Sequence, residues 1–336
     1  MDQGIERVAG CDPHLDSFTV AVVDGTGRRW ETTELPNRVS GWETALDLCG
    51  RWGVSTVGIE GASGYGLPLA RTLFRAGLLV IEVPTRLTAR LRKVDGSAKS
   101  DPGDAAAIGR AVVSGQGSEW RDDPDAETLR IVSHRRAELV RAQTQEINRL
   151  RALLAEIDPE RAQTTGRIRS LAQFDRLAKV RYGGNRHRRT VPALIRRIGA
   201  DCRHRLGQIR QLETDLEQLL PPAGHALIEK IEGIGVITAA ALLAEMAGTD
   251  GFATDAKTAA WAGTAPLDAC SGREQHHRLN RGGNRQANRA IHTIALTQLR
   301  HHGPANDYIT HKMNLNHPDF HRDSVVCVTA ASSGLV

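Results

Sequence analysis

The chain has 336 residues, of which 44 are Lys or Arg and 39 Asp or Glu, for a formal net charge of +5. That length suffices for two or three domains with separate cores. Aromatic residues make up 4% of the chain, too few for sequence-tolerant stacking of single-stranded bases to dominate binding. The cysteines Cys11, Cys49, Cys202, Cys270 and Cys327 are odd in number, scattered and never in CxxC spacing. They read as small buried hydrophobes in a reducing compartment, and argue against a disulfide framework or a zinc site. No apolar run approaches membrane-spanning length and the first residues carry no signal-peptide pattern, so the expectation is a cytoplasmic protein with no membrane partner.

In chain order, residues 7–11, 18–23 and 28–35 read as a three-stranded meander with a turn at Asp24-Gly25-Thr26-Gly27. Residues 40–52 have helical spacing through Trp42, Ala45, Leu46 and Cys49, and a strand over 54–59 follows. Gly61-Ala62-Ser63-Gly64 then turns into a helix over 67–76, and 78–83 is a further strand stopped by Pro84. Adjacent strands followed by alternating helix and strand predict a mixed sheet with helices on its faces. Ligands of such sheets sit at strand ends.

Asp12 and Glu60 fall at two of those ends. Asp101 and Asp104 open a small-residue helix, Ser100-Asp101-Pro102-Gly103-Asp104-Ala105-Ala106-Ala107-Ile108. Pro102 suits a first helical turn, and acids three apart there share a face; complementing the helix dipole would place them equally well. A carboxylate at a buried strand end is costly unless something positive meets it. Four carboxylates converging on one point would hold two metal ions about 3.5–4 Å apart, the arrangement that clamps both oxygens of an in-line phosphoryl transfer.

Beyond Asp122-Asp123-Pro124-Asp125 the pattern changes. Val140, Gln143, Ile147, Leu150, Leu154 and Ile157 alternate 3/4 spacing, as in a long packed helix or coiled coil. A second run, Ile195, Ile198, Cys202, Leu206, Ile209, Leu212, Leu216 and Leu219, stops at Pro221-Pro222. The two helices form an arm joined by a basic, Gly-containing segment with Arg181, Arg186, Arg188 and Arg189; its seam closes within one chain or between two protomers. From Arg176 to Arg210 eleven Lys or Arg face the single acid Asp201. This is a phosphate-facing composition, although a solvated basic helix gives the same one.

Ile231-Glu232-Gly233-Ile234-Gly235 enters an Ala-rich helix. Such a turn lets backbone amides meet a phosphate, as in helix–hairpin–helix modules; close helix packing through Gly233 and Gly235 gives the same pattern. Ser271 then lies in a Gly-flanked turn, followed by Arg273, Arg278, Arg281 and Arg285. A serine hydroxyl becomes a nucleophile only with an oriented base or metal, and with cations to stabilise the charge that develops. His276 and His277 have no zinc-spaced partners and read as surface or phosphate-contacting groups.

In order, Ile59-Glu60-Gly61-Ala62-Ser63-Gly64, Lys99-Ser100-Asp101-Pro102-Gly103-Asp104-Ala105, Gly233-Ile234-Gly235 and Ser271-Gly272 with Arg281-Gly282-Gly283-Asn284 resemble the DEDD-type insertion-sequence transposases, the bridge-RNA-guided recombinases. The resemblance spans roughly residues 6–312. It implies α/β plus all-α architecture: an RNase H-like, RuvC-type DEDD domain over 1–121, a helical coiled-coil arm over 122–222 and a mainly helical transposase domain over 223–312. It further implies that Asp12, Glu60, Asp101 and Asp104 are a tetrad binding two Mg²⁺ ions, with Mn²⁺ as the alternative. Ser271 would become covalently joined to a DNA phosphate, meeting the tetrad of another protomer in a composite site. Donor and target double-stranded DNA, a structured noncoding bridge RNA and further copies of the chain, as a dimer or a synaptic tetramer, are the implied partners, in a prokaryotic nucleoid. Residues 313–336 depart from the basic, helical continuation usual in the family, and the expectation there is a truncated or frameshifted end. Two other functions compete: a RuvC-like junction nuclease in which Ser271 is structural, and a nucleic-acid-binding remnant without catalysis.

Overall fold

The structure is a computed structural model that describes residues 7–85, 87–88, 101–168, 170–179, 186–246, 254–265, 267–268, 277–278, 280, 283–301, 306–307 and 310. Side chains at 178, 186–189, 255, 268, 277 and 278 fall outside that description.

Strands β1 (Arg7–Pro13) and β2 (Ser17–Asp24) are buried at nearly every position, as apolar runs covered on both faces must be. β3 (Arg29–Pro36), with Glu31, Thr32, Thr33 and Glu34, is more exposed and forms an edge. These three strands pair antiparallel. β4 (Thr56–Glu60) lies parallel to β1, β5 (Leu79–Val83) parallel to β4, and the short β6 (Ser118–Glu119) antiparallel to β5. The order β3-β2-β1-β4-β5-β6 is the mixed sheet expected of an RNase H-like domain. β6 had no sequence signature, because two exposed residues carry no periodicity.

Helices α1 (Val39–Trp52) and α2 (Leu67–Arg75) cover one face of the sheet. Their Leu48, Leu69 and Leu73 pack with Phe18, Val20, Val22, Val57 and Ile59, and each such buried side chain contributes about 1.5–3 kcal/mol. Helix α3 (Asp101–Val113) covers the other face through Ala105, Ala106, Ile108 and Ala111. It lies unusually close to the strands. A Cβ on Gly10 of β1 would stand 2.1 Å from the Ala105 carbonyl oxygen and 2.4 Å from the Gly109 nitrogen. Glycine at 10 and the small residues of α3 therefore let helix backbone rest on strand backbone.

Helix α4 (Pro124–Ile157) starts where the sequence changes character. Asp122 pairs with Arg71 and Arg75 of α2 at 2.9 Å each, Glu127 with Arg71 at 2.6 Å, and Asp123 caps the helix by accepting from the Ala126 amide at 2.9 Å. α4 returns through two short helices, α5 (Pro159–Thr165) and α6 (Leu171–Ala178), to α7 (Arg186–Leu219). α4 and α7 run antiparallel. Arg136 reaches Glu213 at 2.6 Å and Gln143 donates to the Cys202 carbonyl at 3.0 Å. Leu150 and Leu154 pack with Ile195, Phe174 and Leu177, so the seam closes within one chain.

Two details correct the sequence expectation. The basic segment is not all connector: α7 begins at Arg186, so Arg186, Arg188 and Arg189 belong to its first turn. The second seam ends on Leu220, 6% exposed, and Leu219 turns outward at 39%, because four residues, not three, bring the chain from Leu216 back to the buried face.

The remaining helices are α8 (Pro222–Lys230), α9 (Val236–Met246), α10 (Asp255–Ala262) and α11 (Arg285–Arg300), with paired strands β7 (Leu267–Asp268) and β8 (His277–Arg278). Their core includes Ile234, Ala240, Leu242, Ala287, Ile291 and Ile294, together with Leu129 of α4 and Leu216 of α7. The long helices thus run into the same core as the C-terminal ones. Among the described residues no helix is long and apolar enough to cross a membrane. Residues 311–336, including the atypical end, lie outside the described residues.

Candidate metal centre and nucleic-acid interface

Asp12 sits one residue from the end of β1, facing Thr19 of β2. The parallel register that pairs Cys11 with Ile59 sets Asp12 beside Glu60, the last residue of β4. α3 brings the other two acids. Its first turn contains Asp101 and Asp104, and the contact at Gly10 holds that turn over the end of β1. Asp104 is 6% exposed; the Asp101 side chain is 54% exposed. Three elements therefore bring four carboxylates to one end of the sheet.

The electrostatics report the same convergence. Burial pushes the Asp12 carboxyl up to about 6, and the charges of Glu60, Asp104 and Asp101 push in the same direction, against a lowering from His14. A carboxylate crowded by three others and withdrawn from water is under strain that a bound cation relieves. The donors are hard carboxylate oxygens, the ligand type that suits Mg²⁺ and Mn²⁺. The residues fit a divalent metal.

Two further residues belong to this centre and were not recognised in the sequence. The Thr88 hydroxyl lies 2.7 Å from Glu60 Oε2 and 2.8 Å from the Thr85 carbonyl. It donates to one of these oxygens at a time, and the charged carboxylate is the stronger acceptor. His14 Nε2 lies 3.7 Å from Asp12 Oδ2 and 3.7 Å from Asp101 Oδ1. The spacing Asp12-Pro13-His14 was a usable signal for the histidine. Thr88 had none, since its contact spans 28 residues of chain.

Of the expected phosphate contacts, Arg285 stands exposed at the start of α11. Arg278 lies on β8 opposite Leu267, and its side chain, like those of Arg186, Arg188 and Arg189, falls outside the description. Ser271, Arg181, Arg273 and Arg281 lie outside the described residues. The glycine turn has a packing explanation. Gly233 has φ +87°, and a Cβ there would stand 3.1 Å from the Ile294 carbonyl oxygen of α11. The Gly235 amide donates to Thr238 Oγ1 at 2.9 Å, so it is satisfied within its own turn.

A second polar centre ties the C-terminal helices to α4. The Glu245 carboxylate meets His134 Nε2 at 2.6 Å and the Asn284 amide at 2.5 Å. Burial works to raise its pKa, but the hydrogen bonds from His134 and Asn284 outweigh it and hold the carboxyl below its usual range. Asn284 caps α11 by accepting from the Gln286 and Ala287 amides at 3.0 Å each. Beside it, Gly283 admits the backbone of Gly263, which a Cβ would approach to 2.1 Å. The Arg281-Gly282-Gly283-Asn284 motif thus has a structural part at its end.

Fold and centre together define a protein with carboxylates gathered at one end of a mixed six-stranded sheet, joined through a helical hairpin to a second, helical unit. Two family models match the chain in that order: a DEDD transposase model of IS110 type over residues 9–159, and the Transposase IS116/IS110/IS902 family over residues 225–310. The chain is 28% identical over 322 residues to the insertion element IS110 43.6 kDa protein of Streptomyces coelicolor, covering 80% of this chain and 78% of that protein. It is 25% identical over 353 residues to the insertion element IS116 44.8 kDa protein of Streptomyces clavuligerus, covering 90% and 87%. Thermus thermophilus RuvC, solved in complex with a Holliday junction substrate, is similar over 34% of this chain and 99% of its own, at 17% identity and a TM-score of 0.28. The chain belongs to the IS110/IS116/IS902 family of insertion-element transposases.

Proposed function

We propose that this transposase cuts and rejoins DNA at the carboxylate cluster, with Ser271 as the attacking group and a structured bridge RNA selecting donor and target DNA. The observation that carries the cutting site is Asp12. Its carboxyl is raised to about 6 by burial, with three other carboxylates pushing the same way and His14 offsetting part, a cost that a bound cation would relieve. Two divalent ions held by Asp12, Glu60, Asp101 and Asp104 would supply Lewis acidity toward the scissile phosphate.

The chain's own residues do the positioning. β1 and β4 fix Asp12 and Glu60 on rigid strand ends, Thr88 orients Glu60, and α3 holds Asp101 and Asp104 above them. In the covalent step the Ser271 hydroxyl gives up its proton as its oxygen forms a bond to phosphorus, a phosphorus–oxygen bond of the DNA backbone breaks, and the leaving DNA oxygen takes up a proton to become a free hydroxyl. Phosphodiester energy is conserved, so a DNA hydroxyl can later attack the serine ester and reseal the strand; hydrolysis would discard it. Arg273, Arg278, Arg281 and Arg285 would meet phosphate charge near Ser271, and Arg181, Arg186, Arg188 and Arg189 would contact RNA or DNA backbone. The serine and the cluster it serves would come from different protomers of a homo-oligomer.

The test combines Asp12→Asn and Ser271→Ala with a supercoiled donor, a target and the bridge RNA. Both variants should retain nucleic-acid binding, which rests on Lys and Arg, and both should lose recombinant product. The native protein should form a protein–DNA adduct that Ser271→Ala does not. Recombination by Ser271→Ala would refute the serine step. Cleavage without any adduct in the native protein would favour the junction-nuclease reading.

A further inference from the structure

His14 stands at the turn between β1 and β2, and its backbone is held from two sides. Its amide donates to the Ser17 carbonyl at 2.8 Å. Its carbonyl accepts from the Asn37 side-chain amide at 2.7 Å, and the same amide nitrogen reaches the Tyr65 carbonyl at 3.0 Å. Asn37 is itself fixed by the Trp42 indole N–H, which donates to Oδ1 at 2.9 Å. The imidazole is thus carried to the mouth of the cluster on a braced turn, although half of its side chain is open to solvent.

The distances there are informative. At 3.7 Å from each carboxylate oxygen, His14 Nε2 is too far for a hydrogen bond; a closed ion pair would lie at about 2.7–2.9 Å. The three atoms nevertheless lie within 4.8 Å of one another. Ligands sharing one cation at about 2.0–2.1 Å stand about 3.0 Å apart when adjacent and about 4.2 Å when opposite. The separations are those of long ion pairs, and small side-chain rotations would bring the same nitrogen and two carboxylate oxygens onto one cation.

We infer that His14 is a nitrogen ligand of the metal bound by Asp12 and Asp101. The inference rests on the proposal that this cluster holds a divalent ion. An imidazole in an otherwise carboxylate set shifts preference from Mg²⁺ toward the first-row ions, Mn²⁺ among them. It also gives a sign test. If His14 only balances charge, its cationic form competes with the metal, and removing it tightens metal binding. If it is a ligand, removing it weakens binding.

The experiment titrates Mn²⁺ and Mg²⁺ calorimetrically into the full-length chain, His14→Ala and Asp12→Asn, and records electron spin echo modulation of the bound Mn²⁺. The native protein should show coupling to a directly bound nitrogen. His14→Ala should lose that coupling, and its Mn²⁺ affinity should fall about tenfold or more, with Mg²⁺ affinity changed less. Unchanged or tighter Mn²⁺ binding by His14→Ala, or native Mn²⁺ with no nitrogen coupling, overturns the inference while leaving the carboxylate centre standing. Native affinity in Asp12→Asn overturns the centre, and with it the inference. His14 is half exposed on a turn held through backbone atoms, so the alanine variant should fold; circular dichroism checks this.

Discussion

Replacing Gly10 with alanine tests how the cluster is assembled. The new Cβ would lie 2.1 Å from the Ala105 carbonyl oxygen, 2.4 Å from the Gly109 nitrogen and 3.0 Å from the Gly109 Cα. All three are backbone atoms, so no side chain can swing aside, and α3 must lift from the sheet by roughly 1 Å to restore ordinary van der Waals separation. Overpacking of this kind costs about 1–3 kcal/mol, and rigid neighbours place it at the upper end. The geometric consequence is larger than the energetic one. α3 carries Asp101 and Asp104, and displacing reactive groups by about 1 Å can cost about 100-fold in rate. Gly50→Ala is the control, because nothing lies within 4 Å of its Cβ position on α1; it should stabilise by about 0.5–1 kcal/mol through helix propensity. Urea unfolding together with Mn²⁺ titration reads both effects. Native stability and native Mn²⁺ affinity in Gly10→Ala would refute the argument that this backbone contact sets the cluster.

Thr88→Val removes the hydroxyl beside Glu60 and fills its space, so metal affinity should drop about 10–100-fold with the melting temperature little changed; unaltered affinity would show Glu60 to be fixed by the strand alone. Glu245 is held below its ordinary pKa, so its contribution to stability is present above the unfolded value, near 4.5, and is lost as pH falls through the lower folded value. Glu245→Gln should therefore destabilise the protein at neutral pH by about 1–3 kcal/mol and flatten the acid limb of a stability–pH curve; an unchanged limb would contradict this. Replacing Arg181, Arg186, Arg188 and Arg189 together should weaken binding to every sequence and reduce the log–log salt slope by up to ~0.9 for each duplex phosphate left without its cation. An intact slope would mark the segment as merely solvated.

Legibility in the sequence followed the range of the interactions. The meander, β4 and β5 were visible as short, mostly apolar runs bounded by turns, and both long helices because their apolar residues recur every three or four positions. The four acids were visible because each interrupts a strand end or a small-residue helix. The order in which they meet was not, since it depends on Gly10 and Gly109 permitting a backbone contact between elements almost a hundred residues apart. Leu220 replacing Leu219 shows the same limit at smaller scale: a 3/4 alternation leaves the last step open until a partner helix selects it. Thr88, the Asn37 brace of His14 and the Glu245 clamp rest on one to three hydrogen bonds each between separated segments, and no local pattern announces those.

The long helix α4 contacts both the sheet domain and the C-terminal helices. Near its start Arg130 donates to the Ser63 carbonyl at 2.9 Å, and Ser63 Oγ donates to Glu82 Oε2 of β5 at 3.2 Å. Burial raises the Glu82 carboxyl, and the Ser63 hydrogen bond and the Arg130 charge offset part of that, so Arg130 is the cation that makes this buried acid tolerable. One turn further on, His134 holds Glu245, whose other oxygen holds the cap of α11. A rotation of α4 would disturb both contacts at once, because residues 130 and 134 share a helix face. The Gly61-Ala62-Ser63-Gly64 turn beside Glu60 and the Asn284 cap of α11 are therefore linked through a single turn of α4.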